Sequence, residues 1–314
     1  MKVLEQDTIN ICLATDNNYT KYAGVVMTSI LANAYSDEHI VFYILDGGIT
    51  PDAKEELLTL KKIKDCDINF IQIRNEDFQD YQKVKTHKYV TLATYYRLKL
   101  TALLPQVDKI IYFDCDFIIN SSLKELFNTN LEGKPIAGVL DIKKKMTAIN
   151  PTYVNAGMLI FDLKRMRELN IEERFLNWTL EHYNKITCGD QEIINEVCRD
   201  NIKLLDKAWN VQSSNFTNRS TYIKNPKGIH FISARKPWHY ASYSYHKKYY
   251  FKYLEFTPWA LKGWKKFLWG PINEIVSCIK YIGYRPLFLL RPMFYKALYH
   301  TYIKPLLGGE AKWY

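Results

Sequence analysis

Asp114-Cys115-Asp116 sets two carboxylates either side of one small residue, between the apolar runs Lys109-Ile110-Ile111-Tyr112-Phe113 and Phe117-Ile118-Ile119. Apolar runs of this length and β-branched content are expected to be buried strands, and carboxylates beside buried backbone need a compensating partner. A hard divalent cation held by oxygen ligands is one such partner, with a diphosphate completing its shell. A solvated turn is the ordinary alternative for an Asp-x-Asp triplet. A position at a strand end favours the cation, because ligands of open α/β sheets collect beyond the carboxyl ends of the strands.

Further polar groups follow in order along the chain: Asp16-Asn17-Asn18-Tyr19, Tyr95-Tyr96-Arg97, Asp141, Asn155-Ala156-Gly157, Gly189-Asp190-Gln191-Glu192, His230 and Lys236-Pro237-Trp238-His239. Each has a plain structural reading. Asp16 to Asn18 can be a turn, Arg97 a salt-bridge residue, and His230 an ordinary core or surface histidine. The chain contains no Gly-x-Gly-x-x-Gly, no P-loop and no Gly-x-Ser-x-Gly elbow, which argues against dinucleotide oxidoreductases, P-loop kinases and α/β-hydrolases.

The elements that must carry these groups read as strand, helix, strand, helix, strand. Thr8 to Ala14 is β-prone and ends in the turn signal Thr15 to Asn18, and Tyr22 to Ala34 reads as a helix. Ile40 to Leu45 is a second strand, Pro51 opens a helix to about Lys62, and Asp67 to Ile73 is a third strand. This alternation predicts a parallel sheet covered by helices, with Asp16, Asp46 and Asp114 at strand ends. Pro135 to Leu140 and Tyr153 to Phe161 are two more strands, and helices are expected at 163–169, 172–184 and 190–199.

In its ordered motifs, from about Thr8 to His239, the chain resembles the family 8 glycosyltransferases of the bacterial lipooligosaccharide galactosyltransferase type. The resemblance implies a single α/β domain of the nucleotide-diphospho-sugar transferase kind (GT-A, Rossmann-like). It implies a retaining enzyme that uses a UDP-hexose and Mn²⁺. Asp114, Asp116 and His230 would bind the metal, and mixed carboxylate–imidazole ligation suits Mn²⁺ better than Mg²⁺. Lys236 would neutralise the diphosphate. Asp16 and Asn18 would bond uracil or ribose, and Tyr19 would stack on the base. Cys115 and Ser233 would line the donor site, Ser233 standing where the family often has glycine. Arg97, Asp141, Asn155, Asp190 and Gln191 would surround the sugar, with Arg97, Asp190 and Gln191 closest to the chemistry. The stretches Asp80 to Lys88 and Lys143 to Tyr153 depart from the family pattern, so the acceptor is the property carried over least directly.

Retention by double displacement needs a nucleophile on the face opposite the leaving group. The amide of Gln191 is a poor one, and Glu192, its neighbour on a helix, faces another way. Front-face substitution is therefore expected, with departing UDP taking the acceptor proton and Gln191 stabilising the cationic sugar.

The net charge of +10 is unevenly spread. Residues 247–314 hold twelve Lys/Arg against three Asp/Glu, a balance of +9, whereas residues 1–246 hold 31 against 30. A neutral body offers no basic groove, so nucleic acid is not an expected partner. The expected organisation is a catalytic domain over 1–246 and a mainly helical, basic, aromatic tail over 247–314. On one helical wheel from Trp259 to Trp269, Ala260, Leu261, Trp264, Phe267 and Leu268 lie opposite Lys262, Lys265 and Lys266. That pattern fits a helix lying in an anionic membrane interface; packing against the domain is the alternative. No run of about 18 apolar residues is present, the stretch Met1 to Asp7 lacks the long apolar segment of a signal peptide, and the six cysteines show no C-x-x-C. The expected location is cytoplasmic, peripheral on the inner face of the cytoplasmic membrane. The expected activity is transfer of galactose, or glucose, from its UDP-sugar to a lipid-linked or surface glycan such as lipooligosaccharide or lipopolysaccharide. The rival is a degenerate transferase fold that binds nucleotide or glycan without turnover.

Overall fold

The strand-forming runs assemble into one seven-stranded sheet in a computed structural model that describes residues 7–84, 91–142, 144–213, 223, 225–232, 236–240, 242 and 246–284. β1 (Asp7–Thr15), β2 (Glu38–Asp46), β3 (Cys66–Gln72) and β4 (Lys109–Phe113) run parallel in the order β3-β2-β1-β4. β7 (Val154–Asp162), β6 (Ile136–Leu140) and β8 (Ile202–Leu204) continue it to the other edge. The inner strands are near-continuously apolar because both faces are covered. β3, at one edge, alternates with exposed Asp67, Asn69 and Gln72. Alternate residues feed two cores: Ile11, Leu13 and Phe113 face one side, Cys12 and Tyr112 the other.

Helices cover both faces. α1 (Thr20–Leu31) and α2 (Pro51–Leu58) pack on the first core. Thr50 caps α2, its hydroxyl accepting from the Ala53 amide at 3.4 Å, and Pro51 occupies the first turn. The 3₁₀ segment Leu92–Lys99, α3 (Ile171–His182) and α4 (Asp190–Val197) contribute to the second core.

The sheet departs from the all-parallel expectation at β7, which is antiparallel to both β4 and β6. The chain leaves β6, makes a short helix at Lys144–Ile149 and turns back. The start of β7 therefore lies beside the end of β4: Met158 pairs with Phe113, and the Asp114 amide donates to the Gly157 carbonyl at 2.9 Å. A second, three-stranded sheet orders β5 (Phe117–Ile119), β10 (Gly228–His230) and β9 (Val211–Gln212).

Two compact units divide the chain, 1–236 with 244–260, and 237–243 with 261–314. The first carries both sheets. It also includes α5 (Lys247–Leu254), a segment the sequence assigned to the tail. Tyr253 on α5 is buried, its hydroxyl accepting from Asn33 Nδ2 at 2.8 Å and donating to Asn120 Oδ1 at 2.9 Å. Trp259 Nε1 donates to Glu56 at 2.9 Å.

In the second unit, the single helix expected from Trp259 to Trp269 does not form. Gly263 takes φ +54°, and a short helix, Trp264–Phe267, begins only after it. A π-helical turn, Leu268–Ile272, leads into α6 (Asn273–Tyr284). No helix among the described residues is long and apolar enough to cross a membrane.

Candidate active site

Asp114 and Asp116 leave the end of β4, and the chain immediately enters β5. β10 pairs with β5 antiparallel, His230 opposite Phe117, and the Phe231 amide donates to the Asp116 carbonyl at 2.9 Å. A residue 114 positions downstream is thereby returned to the Asp-x-Asp. The His230 ring is buried, stacked on Phe117 with centroids 5.2 Å apart. Its other side lies over Gly157, where an added Cβ would meet the ring at 2.1 Å. Only glycine fits there, which accounts for the end of Asn155-Ala156-Gly157.

His230 Nε2 lies 3.1 Å from Asp116 Oδ1 and 3.8 Å from Asp114 Oδ2. Each carboxylate has its second oxygen on a cationic side chain: Asp114 Oδ1 accepts from Arg97 at 2.7 Å, and Asp116 Oδ2 from Lys236 at 2.5 Å. Asp116 Oδ1 is buried and accepts no hydrogen bond among the described residues. One ligand atom from each of Asp114, Asp116 and His230 lies within 4.8 Å of the others. A divalent cation with ligands at about 2.1–2.4 Å sets neighbouring ligands about 3.0–3.4 Å and opposite ones about 4.2–4.8 Å apart, and these separations span that range, so the donor set fits one. Burial opposes ionisation of Asp116, but Lys236 and His230 outweigh it and hold the carboxyl well below its ordinary range.

Arg97 occupies the floor of the site. It is 3% exposed, packs its guanidinium 4.1 Å from the Tyr112 ring centroid, and donates to the Ala156 carbonyl at 2.5 Å. Its Nε donates to the Thr94 carbonyl at 3.0 Å and passes 3.1 Å from Asp190 Oδ2. The Asp190 pair is thus ionic without a directed hydrogen bond, and Asp190 Oδ2 is another buried oxygen that accepts none among the described residues. Burial pushes the Asp190 carboxyl up to about 6, Arg97 opposing and Asp114 adding to the rise. Burial disfavours the Arg97 charge, yet Asp114 and Asp190 more than compensate and keep it cationic.

The sugar-site candidates Asp141, Asn155 and Gln191 meet one another. Gln191 Oε1 accepts from the Ala156 amide at 3.0 Å and from Asn155 Nδ2 at 3.2 Å, and its Nε2 donates to Asp141 Oδ2 at 3.1 Å. Glu192 turns away: its Oε2 accepts from the Thr187 amide, the Thr187 hydroxyl and the Cys188 amide at 2.8, 3.1 and 2.9 Å. Two supporting residues escape sequence reasoning because nothing but the fold brings them near. Asn195, fully buried, accepts from the Val154 amide at 2.7 Å and donates to the Val154 and Gln191 carbonyls at 2.9 and 2.7 Å. Asn210 donates to Asn155 Oδ1 at 3.0 Å.

At the other end of the site, Asp16 Oδ1 accepts from the Tyr19 amide at 3.0 Å, so its carboxylate shapes the turn after β1. Asn17, a residue outside the expected set, accepts from the Thr50 amide and hydroxyl at 3.1 and 3.0 Å. Asn18 is exposed, and Tyr19 is 42% exposed. Burial raises the Tyr19 phenol, and the Asp116 charge is the next cause. Cys115 is buried with its thiol on the Ala14 carbonyl at 3.2 Å. Asp46 caps the turn after β2, accepting from the Gly48 and Ile49 amides at 2.8 and 2.6 Å. Ser233 lies outside the described residues, and Pro237–His239 belong to the second unit.

Residues 10–242 match the family model described as Glycosyl transferase family 8. A putative glycosyltransferase of Haemophilus influenzae is 32% identical over 74% of this chain and 73% of its own length. A lipopolysaccharide 1,3-galactosyltransferase of Salmonella typhimurium is 24% identical over 82% of this chain and 80% of its own. A lipopolysaccharide 1,2-glucosyltransferase of Escherichia coli is 23% identical over 81% and 79%. The crystal structure of the galactosyltransferase LgtC with donor and acceptor sugar analogs shares the fold, with a TM-score of 0.69 at 22% identity over 80% of this chain and 96% of that one. With its sheet order, its acidic strand end and a family match across most of its length, the chain belongs to glycosyltransferase family 8.

Proposed function

We propose that the protein is a retaining, Mn²⁺-dependent hexosyltransferase that moves galactose, or secondarily glucose, from its UDP-sugar to a lipid-linked or cell-surface glycan of the lipopolysaccharide kind. The observation that carries this reading is the convergence of Asp114 Oδ2, Asp116 Oδ1 and His230 Nε2, three ligand-type atoms within 4.8 Å of one another. The relatives that act on lipopolysaccharide support the acceptor class, and the two sugars they transfer support the donor range.

Asp114, Asp116 and His230 are the residues that would hold the ion, which when bound supplies positive charge to the diphosphate leaving group. Lys236 adds a second positive charge beside Asp116. Tyr19, partly exposed after β1, stacks on the uracil, with Asp16 and Asn18 beside it. Asp190 and Asp141 accept from sugar hydroxyls. Arg97 holds Asp114 and Asp190 in register, so the metal end and the sugar end of the site keep a fixed separation. Gln191, with its amide oriented by Ala156 and Asp141, stabilises the positive charge that develops at the anomeric carbon. Glu192 is engaged in its own turn and is no nucleophile, which supports front-face substitution.

We further propose that the second unit binds the inner face of the cytoplasmic membrane without crossing it. From Leu261 to Tyr314 the chain holds nine Lys/Arg against two Asp/Glu, a balance of +7. Trp264 is 70% exposed beside exposed Lys262, Lys265 and Lys266, and Ile279 is 62% exposed. Apolar and cationic groups exposed together fit an anionic interface.

The test is a donor screen by UDP release: UDP-galactose, UDP-glucose and UDP-N-acetylglucosamine, each with Mn²⁺ and with EDTA. Release from UDP-galactose that EDTA abolishes is expected. No release from any UDP-hexose with any divalent cation would leave only the binding-module reading.

A further inference from the structure

Asn155 is 7% exposed and has its whole side-chain amide engaged inside the protein. Its Oδ1 accepts from the Gly157 amide at 3.1 Å and Asn210 Nδ2 at 3.0 Å, and lies 2.9 Å from His230 Nδ1. Its Nδ2 donates to Asp141 Oδ2 and to Gln191 Oε1, both at 3.2 Å. The direction of this amide follows from groups that cannot exchange roles. The Gly157 backbone N–H only donates, so the atom beside it is the carbonyl oxygen. The Asp141 carboxylate only accepts, and the Ala156 N–H fixes Gln191 Oε1 as an acceptor, so the opposite atom is the amide nitrogen.

With the amide direction settled, the His230 tautomer follows. Nδ1 faces a carbonyl oxygen and carries a proton, so a cation held by Asp114 and Asp116 would meet the lone pair of Nε2. We propose that Asn155, braced by the buried Asn210, is a positioning residue: it fixes His230 in the Nδ1–H tautomer as a cation ligand and, through the same amide, orients the Gln191 carboxamide. The proposal rests on the cation reading above and assigns Asn155 a role other than holding a sugar hydroxyl. A hydroxyl could reach Asn155 only by displacing one of five partners. One amide thus links the metal end of the site to the residue at the anomeric carbon.

The experiment uses the full chain, without donor for the metal and tautomer measurements and with UDP-sugar for kcat and KM. Mn²⁺ affinity is measured by electron paramagnetic resonance of the free ion. The His230 tautomer is read by ¹⁵N-histidine NMR of metal-free protein, with His230→Gln giving the assignment. Asn210→Asp sets an acceptor against Asn155 Oδ1 and favours reversal of the Asn155 amide. It should weaken Mn²⁺ binding about tenfold or more and populate the Nε2–H form. Asn155→Asp keeps an oxygen for His230 but removes the donor to Gln191. It should hold Mn²⁺ affinity within about threefold and leave the tautomer intact while kcat falls. The second variant stands by itself if the first does not fold. Wild-type affinity and tautomer in Asn210→Asp, or a raised UDP-sugar KM as the sole effect of Asn155→Asp, would overturn the proposal. A wild type that binds no Mn²⁺ yet shows the Nδ1–H tautomer would retire the cation reading while supporting the positioning role.

Discussion

Neighbouring carboxylates in this site have opposite properties because their surroundings differ. Asp116 is drawn down by Lys236 and His230, whereas Asp190 is pushed up to about 6 by burial that Arg97 only partly offsets. Because the folded pKa of Asp190 is raised above its ordinary value, the stability it contributes is present below about pH 4 and lost as pH rises through about 6. The metal-free wild type should therefore lose up to about 3 kcal/mol relative to Asp190→Asn between pH 4 and pH 7, measured by urea denaturation. A constant difference across that window would remove the buried-carboxylate account. Gln191→Ala should lower kcat about 100-fold with a smaller change in UDP-sugar affinity; an effect confined to KM would make it a hydroxyl-binding residue. Glu192→Gln should behave differently. It weakens the acceptor for Thr187 and Cys188, so about 1 kcal/mol of stability is lost in thermal melts while kcat changes little.

At the scale of elements, an antiparallel strand and a distant hairpin partner build the site. The boundaries of β1 to β4 and of α4 were legible because apolar runs and turn residues such as Asp46-Gly47-Gly48 are local signals. The direction of β7 was not, since hydrophobicity has no sense along the chain; only the return after Lys144–Ile149 decides it. His230 was found through the ordered motif set, while its pairing of β10 with β5 is a tertiary fact. Asn195 and Asn210 carried no signal, because a buried amide resembles a loop residue until its partners are known. The tail wheel failed at Gly263, whose positive φ breaks the helix it was drawn through. α5 belongs with the sheets, so Tyr253→Phe should cost about 1–3 kcal/mol by leaving Asn33 and Asn120 without their shared hydroxyl. Truncation after Ala260 should leave a folded, donor-hydrolysing protein, whereas truncation after His246 removes Tyr253 and Trp259 and should not. Denaturation midpoints and UDP release decide both; a shortened chain 1–246 as stable as 1–260 would refute the assignment of α5.

For the whole molecule, charge is divided unevenly between the two units. The sheet-bearing unit is close to neutral, and the excess positive charge lies beyond Ala260. Full-length protein should sediment with anionic liposomes and be only partly released by salt, because buried aromatic groups are not screened, whereas 1–260 should stay in the supernatant. Equal sedimentation of the two would refute the membrane role of the second unit. From the sequence, the neutral body argues against nucleic acid and the strand-end acids argue for a cation. What sequence could not supply was that Asp114, Asp116 and His230 each turn a single acceptor atom to one point while Arg97 and Lys236 occupy the outer oxygens. The most direct test of that arrangement is the affinity for UDP, titrated calorimetrically with Mn²⁺ and with EDTA in wild type and Asp116→Asn. Mn²⁺ should tighten UDP binding to the wild type at least about tenfold and leave the folded variant unaffected. UDP affinity that is the same with EDTA as with Mn²⁺, and the same in Asp116→Asn, would contradict the account.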